Sequence, residues 1–170
     1  MEKELPVRKK IRLEGYDYSQ AGYYFITMCV KDRHEMLGSI VGHDDSACRP
    51  FIKFTEYGNI SEKYIKTIES HYNRVYVDKY CIMPNHIHII FAVCDGQGGA
   101  PGSSRPTTAL IPRIMAAYKK YTNKEFGFNM WQDRYNDRVI RNKEEYLRIW
   151  QYIDNNPAKW AEDDYFIKEK

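Results

Sequence analysis

The chain has 170 residues, of which 43% are hydrophobic and 29% charged, which excludes a disordered or collagen-like polymer and allows a substantial core without disulfides. No apolar run approaches the ~18–20 residues of a membrane span, and the opening MEKELPVRKK lacks the apolar stretch of a secretory signal. The expectation is one soluble, cytoplasmic domain over residues 1–170, with no membrane partner.

Its net charge of +3 is unevenly spread. Residues 1–104 carry 13 basic and 13 acidic groups, whereas residues 105–143 carry nine basic and three acidic ones. Residues 144–170 then carry four basic and seven acidic groups. A basic middle block beside many aromatics, 15 tyrosines among them, suits a nucleic-acid surface, where cations meet phosphates and rings meet unstacked bases. An ordinary solvated helix face has the same composition. The four cysteines, Cys29, Cys48, Cys81 and Cys94, form no CxxC pair, which argues against a zinc knuckle and for reduced thiols.

In chain order, residues 1–20 read as a basic tail (Arg8, Lys9, Lys10, Arg12) running into a turn, and 22–31 as an aromatic, β-branched strand. Residues 34–50 read as a loop with a short strand pairing with RPFIKF. Ile60, Tyr64, Ile65 and Ile68 carry helical spacing over 59–70. Residues 74–83 and 86–93 form two strands around a Pro84-Asn85 turn, a hairpin. The Gly- and Ser-rich stretch 95–107 is a flexible loop within one fold. A helix over 108–124, an extended segment over 130–141 and a helix over 143–156 stopped by Pro157 complete the chain. The order of elements predicts an α+β, ferredoxin-like split βαβ with an antiparallel sheet and an additional C-terminal helix.

The sharpest local signal is Met83-Pro84-Asn85-His86-Ile87-His88. Side chains two apart on a strand share a face, so both imidazoles can address one metal ion or phosphate; two half-buried histidines on a sheet face would look the same. A histidine-triad hydrolase needs a third histidine where Ile90 stands, and a two-histidine phosphoesterase needs a second His-x-Thr/Ser element that the chain lacks. A histidine pair working with a distant tyrosine survives. The last helix carries an apolar stripe of Tyr146, Ile149, Trp150 and Ile153. Tyr152 and Asn156 lie ~40° apart on its flank, where both can reach the sheet. Tyr152 offers a hydroxyl and Asn156 a carbonyl oxygen suited to a hard cation; as alternatives, Tyr152 is a rim aromatic and Asn156 a helix C-cap.

Taken as a set, YDYSxxGxYFITxC at 16–29, MPNHIH at 83–88, WQxxYxDxVIR at 131–141 and YIxxNP at 152–157 resemble the REP-associated tyrosine transposases. These are a branch of the single-tyrosine HUH transposases related to small insertion-sequence transposases, and the resemblance runs from about residue 8 to residue 160. It implies an HUH nuclease core that cuts and rejoins single-stranded DNA at hairpin-forming palindromic repeats through a 5′-phosphotyrosyl intermediate. It suggests His86 and His88 as metal ligands, Asn156 as the third ligand and Tyr152 as the nucleophile, with Mg²⁺ or Mn²⁺ as the ion. Lys119, Arg134, Arg138 and Arg141 become candidates for phosphate contacts, Asp137 a structural acid, and Arg8–Arg12 a grip on the hairpin stem. The implied protein acts in a bacterial cytoplasm at the nucleoid, more readily as a monomer than as a dimer. The rival is a non-catalytic, domesticated DNA-binding protein that recognises palindromic repeats; an RNA-binding module is a weaker one, since no RNP-type aromatic pattern is present.

Overall fold

A computed structural model describes residues 16–42, 49–95 and 109–166. The basic cluster Arg8–Arg12, Cys48 and nearly all of the 95–107 loop lie outside the described residues.

The first strand, β1 (Gly22–Cys29), is followed by a small hairpin of β2 (Gly38–Val41) and β3 (Phe51–Phe54). Helix α1 (Glu56–His71) starts at Thr55, whose hydroxyl accepts from the Gly58 amide and so satisfies one free N–H of the first turn. Then come β4 (Val75–Ile82), β5 (His86–Val93) and α2 (Leu110–Phe126), which ends at Gly127 in the left-handed conformation, φ 81°. Strand β6 (Asn136–Ile140) and helix α3 (Lys143–Asn155), capped by the Asn142 side chain, lead into a 3₁₀ segment, Pro157–Glu162.

The main sheet has the order β4-β5-β1-β6, with every neighbouring pair antiparallel. Setting aside the inserted β2–β3 hairpin, that is the strand order of a split βαβ fold, so the expected α+β architecture is the observed one. The short strand expected within 34–50 is β2, paired with β3 as anticipated. Extended structure over 130–141 is confined to β6; Trp131, buried in the core, makes only an isolated bridge to Val30.

Alternation along β5 divides the molecule. Ile87, Ile89, Phe91 and Val93 point into the large core under α1 and α2, with Ile65, Ile111, Ile114 and Met115. His86, His88 and Ile90 occupy the opposite face, where Ile90 and Ile140 form a small cluster with Ile149 and Ile153 of α3. The apolar stripe of α3 is thus narrower than its spacing suggests: Trp150 is 37% exposed. Its indole faces the Lys79 ammonium, 3.3 Å from the ring centre. Polar clamps complete the seating of α3, Lys79 and Arg49 both reaching the Asp154 carboxylate at 2.7 and 2.6 Å and Tyr146 donating to Asp78 at 2.8 Å.

The inserted hairpin meets α1 at Gly58. A Cβ there would collide with the Leu37 carbonyl oxygen and stand 3.0 Å from the Phe54 Cβ, and backbone cannot yield as a flexible side chain does. Gly58→Ala is therefore expected to destabilise the fold by about 1–3 kcal/mol through overpacking, despite alanine's better helix propensity. Urea titration of the two proteins measures it; equal midpoints would contradict the close approach.

Candidate metal and nucleophile site

Strand register brings the site together. His86 and His88 project from β5 on the α3 side, and His88 stands opposite Thr27 of β1. Both imidazoles are buried, and their Nε2 atoms face each other at 2.9 Å. The next turn of structure on that side is α3 and its continuation, which deliver Tyr152, Asn156 and Asp163. The Tyr152 hydroxyl lies 3.2 Å from His88 Nε2 and donates to Asp163 Oδ2 at 3.1 Å. Asn156 Nδ2 donates to the same oxygen at 2.7 Å, while Asp163 Oδ1 accepts from the Tyr165 amide. The structure therefore gathers Tyr152, His86, His88 and Asn156 in one place within a single chain. Asn156 also caps α3, so its two readings are compatible.

Hydrogen bonding decides where lone pairs point. Asn85 Nδ2 donates to the carbonyls of Arg33 and Tyr165, at 3.1 and 2.8 Å, leaving Oδ1 to accept from His86 Nδ1 at 2.9 Å. The His86 proton is then on Nδ1, and its Nε2 carries a lone pair. His88 Nδ1 meets the Thr27 hydroxyl at 2.8 Å. A hydroxyl can donate or accept, so the His88 proton is free to reside on Nε2, bridging to His86, or on Nδ1, releasing a second lone pair.

These features fit a divalent cation. His86, His88 and Asp163 offer ligand atoms all within 4.8 Å of one another. Two ligands at ~2.1 Å from an ion and at right angles to it stand ~3 Å apart, which matches the Nε2 separation. The Asn156 amide is oriented by its donation to Asp163, and its buried Oδ1 has no hydrogen-bond partner among the described residues. A buried carbonyl oxygen left this way is costly and is a ready oxygen ligand.

Burial, followed by the positive charge of Arg33, depresses the His86 pKa to about 3. Burial, with His86 as neighbour, holds His88 well below the usual imidazole value. Both rings are neutral at pH 7, the form a metal requires. Burial and then the Asp163 charge push the Tyr152 hydroxyl above the ordinary phenol value, so it is protonated in this arrangement.

Two clefts lie along α3, and one of them reaches the site. One, about 320 Å³, is lined by Tyr152, Asn156 and Asp163 together with Arg148 and Lys159. The other, about 500 Å³, is lined by Arg138, Arg141 and Arg148 with Asp137, Glu145 and Tyr18. Arg148 borders both. Arg138 is paired with Glu145 at 2.6 Å, and Arg134 and Arg141 are exposed. The Lys119 ammonium donates to the carbonyls of Gln132 and Asp133 at 2.6 and 3.1 Å, bracing the segment that precedes β6. Asp163, Thr27 and Arg148 were not singled out by sequence reasoning. Only Thr27 had a usable signal, its place in the first strand; Asp163 looks like one more acid in an acidic tail.

No family model matches the chain. An "Uncharacterized protein" of Haemophilus influenzae is 29% identical over 175 residues, spanning 94% of this chain and 93% of that one. A second protein of the same organism, named "Putative REP-associated tyrosine transposase", is 23% identical over 84% of this chain and 74% of its own length. Among solved structures, a REP-associated tyrosine transposase bound to a REP hairpin superimposes with a TM-score of 0.61 at 19% identity, over 88% of this chain and 74% of that one. The chain resembles the REP-associated tyrosine transposases. With that structure it shares the fold.

The neutral histidines make stability pH-dependent. The folded state keeps His86 unprotonated down to about 3, whereas an unfolded imidazole takes a proton below about 6.5. Between these values the unfolded chain binds more protons, so acid favours unfolding. In metal-free buffer the melting temperature is expected to fall as pH drops from about 6.5 to about 4.5, before the Glu62 and Glu125 carboxylates reach their ordinary range. The double variant His86→Gln, His88→Gln should flatten that decline; an unchanged slope would mean the imidazoles are not the groups responsible.

Proposed function

We propose that this protein is a metal-dependent single-stranded DNA endonuclease and strand transferase, a transposase acting on hairpin-forming palindromic repeats. The observation that carries this reading is the placement of the Tyr152 hydroxyl 3.2 Å from His88 Nε2, beside a set of nitrogen and oxygen donors and in the lining of a cleft that Arg148 and Lys159 also line. The solved relative of the same fold is bound to a REP hairpin, which directs the choice of substrate.

His86, His88 and Asn156 would hold Mg²⁺ or Mn²⁺, with Asp163 as a further oxygen donor, and nitrogen ligands favour Mn²⁺ over Mg²⁺. The bound cation would supply Lewis-acid polarisation of the scissile phosphate. Tyr152 is the nucleophile. Its oxygen forms a bond to phosphorus as the bond to the 3′ oxygen breaks, leaving a 5′-phosphotyrosyl protein and a 3′-hydroxyl. Asp163, which already accepts the Tyr152 hydrogen bond, takes the phenol proton, and the departing 3′ oxygen takes up one in turn. The phosphotyrosyl ester conserves the energy of the phosphodiester, so a 3′-hydroxyl reverses the step and joins strands without ATP.

Arg134, Arg138, Arg141 and Arg148 line or flank the path of the DNA backbone; Lys119 supports that path through the segment it braces. All the groups named come from one chain, and the protein works as a monomer with its nucleophile in cis.

Single-stranded hairpin oligonucleotides incubated with Mn²⁺ are expected to yield a denaturation-resistant adduct on Tyr152, identified by mass spectrometry and lost with EDTA. Tyr152→Phe should abolish the adduct while hairpin binding persists. An adduct on a different tyrosine would overturn the site, and tight hairpin binding by the metal-loaded protein with no adduct would favour the non-catalytic DNA-binding reading. Separately, the double variant Arg141→Ala, Arg148→Ala should weaken hairpin binding and reduce the slope of log affinity against log salt by about 2, near one for each phosphate no longer neutralised. An unaltered slope would remove both arginines from the DNA path.

A further inference from the structure

Among the groups around the histidines, Asn85 has no role in the chemistry above, yet it is completely buried. It sits in the turn between β4 and β5, where any turn-forming residue would satisfy the backbone. Its side chain instead makes three hydrogen bonds, to His86 Nδ1, to the Arg33 carbonyl and to the Tyr165 carbonyl. We infer that Asn85 is a positioning residue: it locks His86 in the Nδ1–H tautomer, presenting the Nε2 lone pair to the cation, and ties that lock to the chain segment carrying Asp163. The purpose assigned to the lock rests on the metal-site reading above.

Donors and acceptors fix the amide. Both carbonyls facing Asn85 Nδ2 can only accept, so turning the amide over would set Oδ1 against two oxygens and forfeit both bonds. The amide orientation is therefore fixed, and with it the acceptor presented to His86 Nδ1. Neutral imidazole carries one proton; held on Nδ1, it leaves Nε2 bare. Outer hydrogen bonds of this kind set tautomer and ring orientation in metal-binding histidines. His88 is treated differently by the fold, since the Thr27 hydroxyl at 2.8 Å can give or take a proton bond. One histidine is locked and the other can adapt.

The Arg33 carbonyl is held in place at a backbone cost. Asp32 and Arg33 are consecutive non-glycine residues in the left-handed region, at φ 54° and 57°, a conformation uncommon outside glycine and tolerated better by Asp than by Arg. The turn is anchored by the guanidinium of Arg33, which donates to the Asp164 carbonyl at 2.8 Å and lies 5.0 Å from the centre of the Tyr165 ring. The Tyr165 ring in turn lies 4.5 Å from that of His86. Asn85 is thus the point where the 31–33 turn, the 163–166 segment and the first histidine meet.

The test uses the full chain in metal-free form. Long-range proton–nitrogen NMR of histidine-labelled protein at pH 7.5 should show His86 as the Nδ1–H tautomer. Asn85→Leu, close in size but unable to accept, should shift His86 toward the Nε2–H form and weaken Mn²⁺ binding, read by calorimetry, by 10- to 100-fold, the range typical for loss of an outer-sphere partner. Asn85→Asp keeps the acceptor but loses both donations, so it should retain the Nδ1–H signature while loosening the 163–166 segment in hydrogen exchange. A wild-type protein with His86 in the Nε2–H form, or an Asn85→Leu protein with an unchanged tautomer, would overturn the inference; the first of these decides even if the variant does not fold. Wild-type protein that shows the Nδ1–H tautomer but binds no Mn²⁺ would overturn the metal reading and leave the lock standing.

Discussion

Two imidazole nitrogens held 2.9 Å apart in the buried interior impose the central constraint on this structure. Neutral rings cannot both direct lone pairs at each other without a proton or a cation between them, and burial makes the charged rings costly. Everything nearby answers that constraint. Asn85 settles one ring, Thr27 leaves the other able to change tautomer, and Asp163 supplies the nearest negative charge. The pair can then be bridged by a proton, and on the proposed reading the same two nitrogens would hold a cation without dismantling the second layer of hydrogen bonds.

The same constraint explains why α3 is held differently from α1 and α2. The latter cover a broad apolar sheet face, and their seating is hydrophobic. Beneath α3 the face is divided between two histidines and two buried isoleucines, Ile90 and Ile140, which meet Ile149 and Ile153 of the helix, so less apolar area is available to bind the helix. Directional contacts make up the difference, through Lys79, Arg49 and Asp78 acting on Asp154, Trp150 and Tyr146. Directional contacts also fix the rotation of the helix, and rotation is what aims Tyr152 at His88. A helix held only by interchangeable isoleucines would be less exacting about where that hydroxyl goes.

Much of this was legible in the amino-acid order because it depends on period. The two-residue repeat of a strand puts His86 and His88 on one face whatever surrounds them, and four-residue spacing on a helix puts Tyr152 and Asn156 on one flank. The apolar runs with their turn residues likewise predict the strand–helix order, and the ferredoxin-like sheet follows from it. What period cannot convey is which of several apolar residues faces inward once a neighbour supplies a cation: Trp150 reads as core but lies over Lys79, at 37% exposure. Lys119 reads as a surface charge but braces carbonyls of the 130–135 segment, because its partners come from an irregular stretch with no pattern of its own. Asp163 is in the same position. It reaches the histidines only because the chain turns back through a 3₁₀ segment after Pro157, a reversal that leaves no periodic trace.

Charge is arranged in two layers, and the arrangement bears on how the proposed chemistry would begin. The cations Arg148 and Lys159 are exposed where they line the cleft, whereas Asp163 is partly buried in its lining, hydrogen-bonded to Tyr152. A phosphate drawn in by the rim would meet a carboxylate at short range, an unfavourable approach in a partly desolvated site. A divalent cation among the histidines and Asn156 would reverse the sign of that inner layer. It would also offset the Asp163 charge, one of the causes that raise the Tyr152 pKa, and so ease loss of the phenol proton. On the proposed reading, attraction of DNA belongs to the rim and is independent of metal, whereas close approach of the scissile phosphate and activation of Tyr152 share a single requirement. On the same reading that division would separate binding from cleavage within one small domain, since the residues proposed to hold the backbone are not those proposed to hold the ion.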